Sequence, residues 1–151
     1  ADAAHVQPVL RTLGDAAIPY SKATPENAVS ARFLIIDNVG MLSSLYQYGA
    51  VAYIGGGFGA GIHNTLEPIA FGLPVIFGPN HWKFKEATGL LAQGGGIMVS
   101  NSVEMLKALK KLTAPADYKK ASNASKWYIV ESMGATKLVM TELKHQLSKN
   151  F

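Results

Sequence analysis

The sequence predicts an α/β domain built on a parallel sheet, and three observations carry that expectation. Four short apolar runs, at residues 33–36, 51–54, 75–77 and 97–99, read as buried strands. Helix-length segments at 39–48, 64–71 and 82–93 lie between them. The chain has 151 residues, 48% hydrophobic and only 16% charged, the size and composition of one compact domain with its own core. Parallel strands need crossover helices, and strands covered on both faces read as unbroken apolar runs. The alternation therefore describes a Rossmann-like sheet flanked by helices, spanning 1–151 as a single domain.

The remaining elements follow in chain order. Residues 5–13 pattern as a helix stopped by Gly14, and 17–20 as a further short strand. Asn101 with Glu104 three residues on is a capping-box variant that opens a helix over 103–112, and Pro115 marks the next break. Two more helices are expected at 117–131 and 135–147, parted near Gly134, the last keeping a stripe of Leu138, Val139, Leu143 and Leu147.

Charge is uneven along this plan. Residues 103–151 hold nine lysines and four acids, residues 1–102 five basic side chains and six acids. Lys107, Lys110, Lys111, Lys119, Lys120, Lys126, Lys137, Lys144 and Lys149 are either solvated helix faces or the mark of an anionic partner. No arginine cluster with interleaved aromatics accompanies them, so nucleic acid is disfavoured against a phosphorylated small molecule or an anionic membrane surface. The absence of cysteine excludes a disulfide framework, a thiolate metal site and a cysteine nucleophile. His5, His63, His81 and His145 are scattered without a partner at helical spacing, so no metal site is expected. No apolar run nears the ~18 residues of a membrane span, and residues 1–7 lack the regions of a signal peptide. The expectation is a soluble piece.

The chemistry concentrates in Gly55-Gly56-Gly57-Phe58-Gly59-Ala60-Gly61-Ile62-His63-Asn64, which leaves the strand at 51–54 and enters the helix at 64. Five glycines in seven residues allow positive φ and close approach to a bound group, and a helix N-terminus offers amides to an anion. A phosphate is the expected ligand; a mobile loop capped by Asn64 and Glu67 is the reading without one. Gly55, Gly57 and Ala60 match the dinucleotide pattern only formally, because no acid ends the next strand. A Gly-Lys-Ser/Thr phosphate loop and a Gly-x-Ser-x-Gly nucleophile elbow are both missing. One turn into the helix, Glu67 is placed to accept hydrogen bonds from a ribose diol, with Pro68 in the first turn where its lost N–H matters least.

The string Asp37-Asn38-Val39-Gly40-Met41-Leu42, Leu45-Tyr46, Ala52-Tyr53-Ile54-Gly55-Gly56, His63-Asn64-Thr65-Leu66-Glu67-Pro68, Gly72-Leu73-Pro74-Val75-Ile76-Phe77-Gly78-Pro79 and Phe84-Lys85 resembles the C-terminal, donor-binding half of GT-B fold glycosyltransferases. Within them it is similar to the 3-deoxy-D-manno-octulosonic acid (Kdo) transferases of lipopolysaccharide synthesis, over roughly residues 18–112. The resemblance implies a domain that binds the nucleotide of the donor CMP-Kdo, with the helix from Asn64 facing the phosphate and Glu67 the ribose. Donor-binding residues are then Gly40, Met41, Gly55, Gly56, Gly57, His63, Asn64, Thr65 and Glu67. It further implies inverting transfer without a metal or cofactor, to a lipid A precursor at the cytoplasmic face of the inner membrane. The acceptor domain and catalytic base belong to an N-terminal half absent here, so the chain assigns no catalytic residue and is expected to be inactive alone.

Three departures from the family pattern stand out. Met41 replaces an acid, Gly57 a serine, and Gly61-Ile62 a Gly-Gly pair. Trp82, Phe84, Trp127 and Tyr128 are expected to pack in the core or between domains. The alternatives are the donor domain of another GT-B enzyme, such as a UDP-sugar transferase or a UDP-N-acetylglucosamine 2-epimerase, and a non-catalytic flavodoxin-like or receiver-like module. The last needs an acidic cluster at the strand ends, where only Asp37 offers itself.

Overall fold

A computed structural model describes residues 3–149. The chain divides into two compact units, the first ending at Leu45 and the second beginning at Tyr46. In the first, α1 (Ala3–Leu13) stops where Gly14 turns to φ 56°, a left-handed conformation that a β-carbon disfavours. β1 (Ala17–Pro19) carries its proline at the end of the strand. Thr24 then caps α2 (Pro25–Ala28): its hydroxyl accepts from Asn27 N–H at 3.3 Å, and Asn27 Oδ1 accepts from Thr24 N–H at 2.7 Å. β2 (Phe33–Ile35) pairs in parallel with β1, Ala17 opposite Phe33 and Pro19 opposite Ile35. Gly40, at φ 93°, holds the chain out of the helical region, so the helix expected over 39–48 shrinks to α3 (Leu42–Leu45), followed by a 3-10 turn at Tyr46–Tyr48. No described side chain of this unit is fully buried.

The second unit holds the core. β3 (Ala52–Ile54), β4 (Val75–Phe77) and β5 (Gly96–Met98) form a parallel sheet in the order β3-β4-β5, with Ala52 opposite Val75 and Val75 opposite Gly96. α4 (Leu66–Ala70) and α5 (Lys85–Gln93) are the crossovers. Each strand is a short apolar run, as a sheet covered on both faces requires. Ala52, Ile54, Val75 and Phe77 pack on one side with Ile69, Leu73, Ala87 and Leu90. Ile76 and Val99 face the other way, toward Ala108, Leu112 and Ala121. Burying a side chain the size of Phe77, Ile76 or Leu90 stabilises by about 1.5–3 kcal/mol each, and all three have no exposure.

Three helices finish the unit. α6 (Ser102–Leu112) opens as its sequence predicts: Asn101 Oδ1 accepts from Glu104 N–H at 3.0 Å, and Glu104 Oε2 accepts from Ser100 N–H at 2.7 Å. α7 (Pro115–Ser132) lies against α4, α5 and α6. The closeness is set by glycine: a β-carbon on Gly72 would stand 2.3 Å from Lys126, on Gly89 2.5 Å from Tyr128, and on Gly95 2.8 Å from Ser125 Oγ. α8 (Ala135–Lys149) follows Gly134, and its stripe residues Val139, Leu143 and Leu147 are exposed, while the Leu138 side chain lies outside the described residues. None of the described helices is long and apolar enough to cross a membrane.

Candidate functional site

Three parallel strands that point one way place the loops after them at one end of the sheet, where ligands of open α/β sheets bind. The loop leaving β3 is folded back on itself. Gly56 O accepts from Gly59 N–H at 2.9 Å and from Gly61 N–H at 3.3 Å, and Gly55 O accepts from His63 N–H at 3.1 Å. Gly56 at φ 86° makes this reversal, and a β-carbon there would sit 2.1 Å from Gly61 O. The loop is also pinned to the turn after β4. Gly57 and Gly78 lie backbone to backbone, so that a β-carbon on Gly57 would stand 2.6 Å from Gly78 N. Asn80 closes the junction, its N–H donating to Gly57 O at 2.9 Å and its Nδ2 to Gly59 O at 2.8 Å. The glycines are therefore an answer to close packing, and the loop is held rather than mobile. The serine that the resemblance leads one to expect at Gly57 has no room here.

The exit from the loop differs from the expected helix over 64–71. Asn64 Oδ1 accepts from Leu66 N–H at 2.9 Å, an Asx turn that delays α4 to Leu66. The Asn64 amide then donates to Glu67 Oε1 at 2.8 Å. This replaces the capping box with a side-chain clasp: Glu67 is half-buried and oriented by Asn64 through one of its oxygens. Leu66 N–H is already engaged and Pro68 has none, so a helix of five residues contributes few donors and a weak dipole to an anion.

A depression of about 200 Å³ opens beside this clasp, lined by Ile62, His63, Asn64, Thr65, Leu66, Phe84 and Glu86. Thr65 is buried and His63 exposed, with the His63 ring over Gly55. Tyr46 packs on the core near Glu67, and burial first, then the Glu67 charge, raises its phenol above the ordinary tyrosine range. Three of the residues expected at the site, His63, Asn64 and Thr65, line this recess; Glu67 is tied to it through Asn64, Gly55 lies under the His63 ring, and Gly56 and Gly57 belong to the same loop. Ile62, Phe84 and Glu86 are additions that residue type alone did not single out; the signal was the pair Phe84-Lys85 just after Pro79. Phe84 and Tyr128 pack against the core as expected. Trp82 and Trp127 do not, being 69% and 63% exposed, because Trp82 stands on a turn with Lys83 Nζ 4.9 Å from its ring and Trp127 points off the outer side of α7.

Gly40 and Met41 belong to the first unit. Met41 Sδ receives Asn38 Nδ2 at 2.8 Å, and Met41 O accepts from Ser44 and Leu45 N–H at 3.0 and 3.1 Å to start α3. Nearby, Asp37 accepts from the hydroxyl and N–H of Ser21, and the hydroxyl foremost holds its carboxyl below the usual range. Among the described residues no group of histidines and acids is gathered as a metal site would need.

No family model matches the chain. It is 38% identical over 81 residues to the 3-deoxy-D-manno-octulosonic acid transferase of Aquifex aeolicus, covering 52% of this chain and 23% of that protein. It is 29% identical over 125 residues to the enzyme of the same name from Haemophilus influenzae, covering 80% of this chain and 29% of the relative. The chain thus spans about a quarter of the length of the curated relatives it matches. Among solved structures, its fold is similar to the C-terminal CMP-Kdo binding domain of WaaA from Acinetobacter baumannii, with a TM-score of 0.73 and 19% identity over 83% of this chain and 67% of that one. In sequence the chain is similar to part of the 3-deoxy-D-manno-octulosonic acid transferases, and its fold is similar to that of the C-terminal domain of one of them.

Proposed function

We propose that this chain is the donor-binding part of a Kdo transferase and holds the CMP moiety of CMP-Kdo at the loop and clasp just described. The observation that carries the reading is the Asn64–Glu67 bond of 2.8 Å at the mouth of a pinned glycine loop. It fixes an acceptor carboxylate next to backbone amides, the pairing that a ribose diol and its phosphate ask for. The recess, at about 200 Å³, is smaller than the ~300–1,000 Å³ of a complete ligand pocket, which suits one wall of a cleft. The other wall, the acceptor site and the catalytic base then come from polypeptide outside this chain.

In this reading His63 and Thr65 border the sugar and Gly55 to Gly57 shape the loop. The amides stabilise the CMP leaving group as its charge develops. Transfer inverts the anomeric centre without a metal or cofactor, the acceptor is a lipid A precursor, and the full enzyme works at the cytoplasmic face of the inner membrane. Calorimetry with CMP, UMP, ADP and NAD tests the nucleotide. CMP should bind best, and weakly, because half of the cleft is lacking. Preference for UMP would move the chain to a UDP-sugar enzyme, and equal or better binding of NAD would end the reading.

A further inference from the structure

We propose that the outward face of α6, with the start of α7 beside it, is a docking surface for an anionic lipid membrane. At 100° per residue, Met105, Ala108 and Leu112 share the inner side of α6, and all three pack on the second core. Half a turn away stand Val103, Leu106, Lys107 and Lys110. A helix on a soluble protein carries polar residues there. Here Val103 and Leu106 are 59% and 68% exposed, Leu109 on the flank is 42% exposed, and lysines fill the positions between them.

The charge on this face is one-sided. From 103 to 120 there are five lysines against two acids. Glu104 is turned back to the helix start, where it accepts from Ser100 N–H and Asn101 Nδ2 at 2.7 and 3.3 Å. Asp117 sits in a recess with Lys111 and Lys120. Lys107, Lys110 and Lys119 are exposed.

Beside the helix, β5 is the outer strand of its sheet, and a groove of about 300 Å³ runs between them. It is lined by Ile97, Met98, Val99 and Ala108, by Lys107 and Lys111, and by Glu104, whose carboxylate is engaged at the helix start. An apolar slot edged by two lysines, its one carboxylate already satisfied by Ser100 and Asn101, matches an acyl chain below an anionic headgroup, with the lysine stems lying along the apolar surface. A protein interface is built on aromatic anchors and depleted in lysine; this face has aliphatic side chains and lysines.

The proposal does not depend on the nucleotide reading. Its test is sedimentation of the 151-residue chain with vesicles of phosphatidylcholine alone or mixed with phosphatidylglycerol. Binding is expected on the anionic vesicles, about tenfold or more weaker on the neutral ones, and weakened by salt. Reversing two charges in Lys107→Glu with Lys110→Glu should lower the affinity about thirtyfold, and Leu106→Asp about tenfold. Lys144→Glu, on α8, should leave it unchanged. Melting curves and CMP titrations of the same variants report fold and nucleotide site separately. Equal binding to both vesicle types, or unchanged binding of the α6 variants, overturns the proposal. So does release by inorganic phosphate beyond that caused by chloride of equal ionic strength, which marks a free-phosphate site. Self-association abolished by Leu106→Asp without any vesicle binding would assign the face to a second copy and overturn it as well.

Discussion

Glu67 is oriented before any ligand arrives. Asn64 spends one end of its amide on Leu66 N–H and the other on Glu67 Oε1, so the carboxylate loses little rotational freedom on binding. Glu67→Gln keeps an oxygen for Asn64 and should leave the melting temperature within about 0.5 kcal/mol of stability, while weakening CMP. The discriminating ligand is 2′-deoxy-CMP: the parent should prefer CMP, and the variant should lose that preference. A loss of the same factor for both ligands argues against a ribose contact. Tyr46 reports independently on where Glu67 points. In Glu67→Gln its phenol should titrate at lower pH than in the parent and still above an ordinary tyrosine, since burial, the larger cause of its shift, remains.

At the scale of elements, the loop after β3 joins two turns through a contact only glycine permits. Gly57→Ala brings a β-carbon to 2.6 Å from Gly78 N, and backbone cannot rotate away as a side chain does. Thermal or urea melts should show a loss of about 1–3 kcal/mol. Gly59→Ala, whose β-carbon would lie 3.7 Å from Gly56 O, should cost within about 0.5 kcal/mol. A Gly57→Ala melt equal to the parent would mean that the loop lifts from Gly78 in solution. The strands, the crossovers and the α6 cap were legible in the sequence because each rests on local pattern: apolar runs, a period, an Asn with a Glu three residues on. The starts of α4 and α5 were not. Asn64 delays α4 by an Asx turn, and Phe84 at φ −106° and ψ 103° delays the helix expected from 82 until Lys85, both through local conformations that apolar spacing does not encode. The composition of the glycine loop suggests a ligand's seat, and its packing against Gly78 depends on a residue 21 positions away, a contact no local pattern announces.

For the molecule as a whole, the expected outcome is that this chain transfers no Kdo when given CMP-Kdo and lipid acceptor. A base must stand within about 3 Å of the acceptor hydroxyl. Glu67 is clasped by Asn64, and Asp37 is held by Ser21 with its carboxyl lowered, away from a value suited to taking a proton near neutral pH. Adding the remaining part of the enzyme, in cis or in trans, should restore transfer in a radiolabelled-donor assay. Transfer by the chain alone, above a Glu67→Gln control, would place the base here.

The covering of α4 and α5 by α7 also sets an order of events during synthesis. The ribosome makes β3, β4 and β5 before Ser125, Lys126 and Tyr128, the side chains that fill the spaces over Gly95, Gly72 and Gly89. Until α7 has cleared the exit tunnel, Ile69 and Leu90 have no lid, and a nascent sheet with an open apolar side is the kind of species that chaperones hold and that neighbouring chains aggregate with. The second unit therefore finishes folding late in translation, as one late helix closes over a sheet already made.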